Sequence, residues 1–146
     1  GALHSERNAS DTQSLRFIQF WILPSQEGLE SSVQQRQYTA EERTDRWLQI
    51  MGPRDEDGLD LAQDARVLVS RLSPDSGLSY GFGEGRGGYV YMIGGTATFN
   101  AEKVATGDAA KVQGREKLAV EAVEETDLIL VDVSLRFQPV GVWARR

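Results

Sequence analysis

The sequence has no cysteine in its 146 residues, which removes disulfides, thiolate metal sites and cysteine nucleophiles together. It has one histidine, His4, so neither an all-histidine metal cage nor a pair of catalytic imidazoles can be assembled from this chain. No apolar run approaches the roughly 18 residues that a spanning helix needs. No basic-then-apolar leader opens the chain, so the expected setting is cytoplasmic, with no membrane partner. Cations are in deficit: 16 Lys and Arg stand against 22 Asp and Glu, a net charge of −6. Nucleic-acid binding leans on basic groups that contact phosphate, and this balance argues against such a partner. What remains is the composition of one globular domain, 40 % hydrophobic and 26 % charged, long enough to bury a core without staples.

The patterning is that of many short strands. Leu15–Leu23 carries apolar residues on both parities, which predicts a strand covered on both faces and ended by Pro24. Ser25–Gln37 reads as a polar linker. Thr39-Ala40-Glu41-Glu42 matches a capping box and predicts a single helical turn. Short β-prone runs then follow at Trp47–Met51, Ala65–Leu72, Tyr89–Ile93, Thr96–Phe99, Leu118–Val120 and Leu128–Val133. Turn formers separate them, at Gly52–Gly58 and Ser73–Gly77 among others. Gly94-Gly95 between two such runs predicts a two-residue hairpin. No helix long enough for a parallel βαβ unit is present. The expected architecture is an all-β sandwich or barrel over about Tyr38 to Val133, with Val67, Val69, Tyr91, Ile93, Val120 and Leu130 inside.

Few motifs carry chemistry. Gly83-Glu84-Gly85-Arg86-Gly87-Gly88 contains G-x-G-x-x-G, but the dinucleotide fingerprint needs a helix directly after it. Tyr89–Ile93 is strand-forming, so the loop reads as a barrel rim. Asn8-Ala9-Ser10 fits a glycosylation acceptor that matters only in a secreted chain. The acidic run Glu121, Glu124, Glu125 and Asp127 reads as a solvated loop. His4-Ser5-Glu6 is different. On extended backbone, residues i and i+2 share a side, so this imidazole and carboxylate can reach one iron, manganese or zinc ion.

The opening string Gly1-Ala2-Leu3-His4-Ser5-Glu6-Arg7-Asn8 resembles the G-x-x-H-S-E-x-N signature of the pirin family, in its bacterial quercetin dioxygenase-like branch. The likeness continues in register. Phe17–Pro24 resembles that branch's Q-x-W-I-x-P strand, and Gln35–Tyr38 its Q-R-x-aromatic element. Leu61–Ala65 resembles its H-Q-D-A stretch, with Ala62 where histidine is usual. Gly88–Gly95, Thr106–Ala109 and Leu128–Asp132 complete a match that reaches Val133.

The resemblance implies a cupin-type antiparallel β-barrel, a double-stranded β-helix or jelly roll, and a parent built of two cupins in tandem. In the family the metal lies in the N-terminal barrel, held by two histidines of an H-P-H segment, a third histidine and a glutamate. The last two correspond to His4 and Glu6, and Glu6 would also be the candidate base for a flavonol hydroxyl. The chain is then expected to divide into 1–37, the end of the N-terminal cupin with a linker, 38–135, the C-terminal cupin, and 136–146, a tail. The parent would be a quercetin 2,3-dioxygenase-like enzyme using iron or another divalent transition metal, while this half would be metal-free and inactive alone. Its expected partners are the N-terminal cupin, a flavonol-type small molecule in the parent, and a second copy paired through Leu15–Leu23. The competing reading is a non-catalytic regulatory or protein-interaction module.

Overall fold

The computed structural model describes residues 4–114, 117–141 and 144. Among these residues the one α-helix, α1 (Ala40–Arg43), is the single turn that the capping box predicts. The Thr39 backbone N–H donates to the Glu42 carboxylate at 2.7 Å, and the Glu42 N–H donates to the Thr39 hydroxyl at 3.3 Å. Ten strands follow: β1 (Leu48–Pro53), β2 (Leu59–Leu61), β3 (Ala65–Leu72), β4 (Gly77–Gly81), β5 (Arg86–Gly94), β6 (Thr96–Phe99), β7 (Glu102–Ala105), β8 (Ala109–Val112), β9 (Lys117–Ala122) and β10 (Thr126–Ser134). They form a six-stranded sheet in the order β2-β1-β3-β10-β5-β8 and a four-stranded sheet in the order β4-β9-β6-β7. Among the described residues these strands pair antiparallel except β1 with β2, which run parallel. Among the described residues no helix is long and apolar enough to cross a membrane.

Strand β10 is the spine. It pairs with β3 on one side, Leu130 beside Leu68, and with β5 on the other, Leu130 beside Val90. Its even residues point between the sheets, where Leu128 and Leu130 meet Leu72, Val90 and Met92 from the same sheet and Leu118 and Val120 from the other. These seven side chains are essentially inaccessible, and each contributes roughly 1.5–3 kcal/mol by burial.

Two expectations about the interior are corrected. Val120 and Leu130 lie inside, but in β5 it is Val90 and Met92 that do, while Tyr91 and Ile93 take the opposite, partly exposed face. Gly88 sets that phase: a Cβ on it would lie 2.6 Å from the Phe82 ring, so the ring occupies the inner face at Gly88. Val90 and Met92 follow at the strand period of two. In β3, Val67 is fully buried as expected, though on the outer parity with Ala65 and the half-buried Val69, while Leu68 and Leu72 join the cluster between the sheets. Both parities of β3 are apolar because this sheet is covered on both sides.

The outer cover comes from the N-terminal segment, which is not the predicted strand. Leu15–Leu23 is extended but joins no ladder. It crosses the face of the sheet, where no parallel or antiparallel neighbour exists, and is tied mainly at its ends. The Arg16 guanidinium donates to the Ile93 carbonyl at 3.3 Å, the Gln63 amide to the Leu23 carbonyl at 2.8 Å, and the Ser25 N–H to the Ala62 carbonyl at 2.8 Å. Phe20, Ile22 and Leu23 are half-buried, while Leu15, Phe17 and Trp21 face outward, Trp21 at 83 % exposure.

Gly94-Gly95 does not close a hairpin either. Strand β5 belongs to one sheet and β6 to the other, so the chain changes sheets at Gly95. Gly95 sits at φ 94°, and a Cβ there would lie 2.5 Å from the Glu125 carbonyl oxygen.

Candidate functional site

His4 and Glu6 do come together. The His4 Nε2 lies 3.0 Å from the Glu6 Oε1, with side-chain exposures of 64 % and 45 %, and the Gln19 amide nitrogen is 3.5 Å from the same ring atom. Among the described residues no three His, Cys, Asp or Glu side chains converge to hold an ion. Two solvent-facing donors that partner each other supply half of the four-ligand set implied by the resemblance. They do not by themselves fit a complete metal centre.

The densest polar constellation lies elsewhere, at one end of the space between the sheets. Asp132 continues the inward parity of Leu128 and Leu130 and is 2 % exposed. Its carboxylate accepts from the Tyr80 hydroxyl of β4 at 2.6 Å and from the Arg86 Nε at the start of β5 at 2.8 Å. Arg86 also donates to Asp64 at 2.6 Å, and Arg66 donates from its Nε to Glu56 at 2.7 Å. Burial first, and then the hydrogen bond to Asp132, push the Tyr80 phenol well above its ordinary range. The hydrogen bond from Arg66 holds the Glu56 carboxyl below its own, against a smaller burial penalty. Tyr80 therefore stays a donor, and Asp132 is committed to two donors. The group links the two sheets and offers neither a free base nor an open ligand position.

Part of the acidic run is structural as well. Asp127 accepts from Arg71 at 2.9 Å and is also bonded by Arg43 of α1. Burial raises its pKa, but the hydrogen bonds from Arg71 and Arg43 outweigh that and lower it. The reading of the whole run as solvated holds for Glu121, Glu124 and Glu125, which are exposed, and fails for Asp127. The Asp132 group was also missed, although a signal existed: one acid at the inward parity of an otherwise apolar run demands a buried cation.

The G-x-G-x-x-G string leads into β5, as the sequence reading required. Residues 49–133 match the family described as the quercetinase C-terminal cupin domain. The chain belongs to the pirin family, as its C-terminal cupin domain. This pirin-family chain is 31 % identical over 135 residues to a Zymomonas mobilis protein named as a quercetin 2,3-dioxygenase, covering 90 % of the chain and 56 % of that relative. It is 25 % identical to the quercetin 2,3-dioxygenase of Escherichia coli K12, covering 91 % of the chain and 57 % of that protein. The chain thus spans little more than half the length of these curated relatives. Among solved structures, YhhW from Escherichia coli superposes with a TM-score of 0.72 at 21 % identity, over 82 % of this chain and 49 % of that one. The same pirin in complex with nickel(II) gives 0.71. At that identity the likeness establishes the cupin jelly roll.

Proposed function

We propose that this chain is the non-catalytic, supporting half of a two-cupin protein whose whole is a metal-dependent quercetin 2,3-dioxygenase. The single observation that carries the reading is the strap over residues 15–23. Its inner side chains cover the outer sheet face, while Leu15, Phe17 and Trp21 present a second apolar side to solvent. A segment apolar on both sides calls for two covers, and the chain supplies one. The natural second cover is an N-terminal cupin, in keeping with relatives about 57 % covered by this chain. That cupin would contribute the remaining metal ligands beside His4 and Glu6, a borderline donor pair suited to iron, nickel or another divalent transition metal. In this chain alone the same apolar side would pair with a second copy.

The C-terminal cupin would then position His4 and Glu6 through the strap rather than bind the flavonol itself. In the assembled site Glu6 is the candidate base for a flavonol hydroxyl, a role that requires hydrogen-bond reach to that proton. The test is quercetin consumption, followed at its visible absorption band with iron or nickel supplied. This chain alone should give no turnover above background, and the same chain joined in frame to its N-terminal cupin should turn over. Turnover by the isolated chain would overturn the supporting role. Inactivity of an intact, metal-loaded two-cupin protein would instead favour the regulatory module.

A further inference from the structure

A groove of about 730 Å³ runs along the outer face of the six-stranded sheet, between the strap and the segment after β10. Its floor is Ala65, Val131 and Val133, its near wall Phe20–Leu23, and its far wall Arg136–Gln138, with Tyr89 closing one side. The far wall is fixed by the Leu135 N–H, which donates to the Gly85 carbonyl at 2.8 Å. The size lies within the range of small-molecule sites, which are mostly apolar with a few uncommitted polar groups that orient the ligand.

The polar groups here can be sorted by whether they are already engaged. Asp64 is paired with Arg86 at 2.6 Å. The Gln63 amide donates to Leu23, and its oxygen accepts from the Asp64 N–H at 2.8 Å. The Ser134 hydroxyl accepts from the Arg136 backbone N–H at 3.3 Å. The Arg136 guanidinium lies beside Gly85 and has no carboxylate or hydrogen-bond partner among the described residues. The groove therefore offers aromatic and aliphatic walls and, among the described residues, one planar cation without a carboxylate partner.

We infer that this groove is a binding site for a small aromatic carboxylate, its ring against Tyr89, Phe137 and the strap and its carboxylate on Arg136. A guanidinium fork matches a carboxylate bidentately, and the aromatic walls offer edge and face contacts to a planar ring. Neither His4 nor Glu6 takes part, but the near wall is the strap on which the proposed supporting role rests.

Calorimetry on this chain with 2-naphthoate, and with neutral 2-naphthylmethanol as its uncharged counterpart, tests the site. Naphthoate should bind at one equivalent and at least about tenfold tighter than the alcohol, since hydrogen bonds to charged groups contribute on that scale. Arg136→Gln should erase the preference while leaving the alcohol's affinity unchanged, and His4→Ala should change neither. Arg136 is exposed, so the variant should fold, with an unaltered far-ultraviolet spectrum as the check. Equal affinities for acid and alcohol, or a preference that survives in Arg136→Gln, would overturn the inference. So would naphthoate binding that vanishes when the chain is joined to an N-terminal cupin, because the groove would then be a contact between domains.

Discussion

At the scale of single residues, the molecule depends most on Asp132. Its carboxylate is buried with two donors, one from each sheet, and removing it leaves Arg86, whose side chain is 13 % exposed, with only the solvent-facing Asp64 as a partner. Breaking one side of a buried ion pair costs about 3–5 kcal/mol, so Asp132→Ala should lose that much in urea unfolding. Tyr80→Phe removes only a neutral donor and should cost about 1 kcal/mol. If the two variants lose equal stability, the guanidinium is not the group that needs Asp132. Sequence could name Asp132 as an odd acid in an apolar run, but not its partners. Arg86 and Tyr80 lie 46 and 52 residues away along the chain, and only the crossing of the two sheets brings them together.

At the scale of elements, what was readable depended on whether the signal was local. The capping box of α1 is a four-residue device, and the structure has both of its hydrogen bonds. Strands β3 and β6 fall on the predicted spans because turn residues bracket them. The phase of β5 was not readable, because Tyr89–Ile93 is apolar on both parities and the decision rests with Gly88 and the distant Phe82 ring. The sheet change at Gly95 likewise depends on a carbonyl supplied by Glu125. This predicts a contrast between two glycines. Gly95→Ala meets both a positive φ and that carbonyl, whereas Gly107→Ala, at φ 91°, has nothing within 4 Å. The backbone penalty alone is about 1 kcal/mol, and Gly95→Ala should exceed it by roughly 1–3 kcal/mol as local strain. Equal losses in thermal unfolding would mean that the corner relaxes freely.

The attachment of α1 to β10 gives a pH dependence. Asp127, bonded by Arg43 and Arg71, has a folded pKa below its ordinary value, so in the unfolded chain it takes up protons first as pH falls. The stabilisation it contributes is present in full above the unfolded carboxylate pKa of about 4. It is lost as pH falls through the lowered folded value. The melting temperature should be flat on this account from pH 7 to 5 and then fall below about pH 4. Asp127→Asn should start lower at pH 7 and fall less steeply in acid. An acid slope unchanged in that variant would move the effect to other carboxylates such as Glu56.

On the scale of the whole molecule, the outward side of the strap leaves Leu15, Phe17 and Trp21 exposed. Each gains roughly 1.5–3 kcal/mol by full burial, which favours association over solvation even after the cost of docking. Light scattering at micromolar concentration should therefore give a dimer for this chain, and Trp21→Lys should return it to monomer. A monomeric parent chain would remove the self-pairing. The apolar double face of Leu15–Leu23 was visible in the sequence, but its path was not. Nothing local distinguishes a strand in a ladder from a strap laid across one.

On the proposed reading, His4 and Glu6 are half of a metal site that this cupin alone does not complete. Transition-metal analysis after reconstitution and dialysis decides it most directly. Two exposed donors without further ligands or an orienting shell hold metal weakly, so iron, nickel and zinc together should fall well below about 0.1 equivalent per chain. Close to one equivalent of any of them, lost in His4→Ala, would contradict the account.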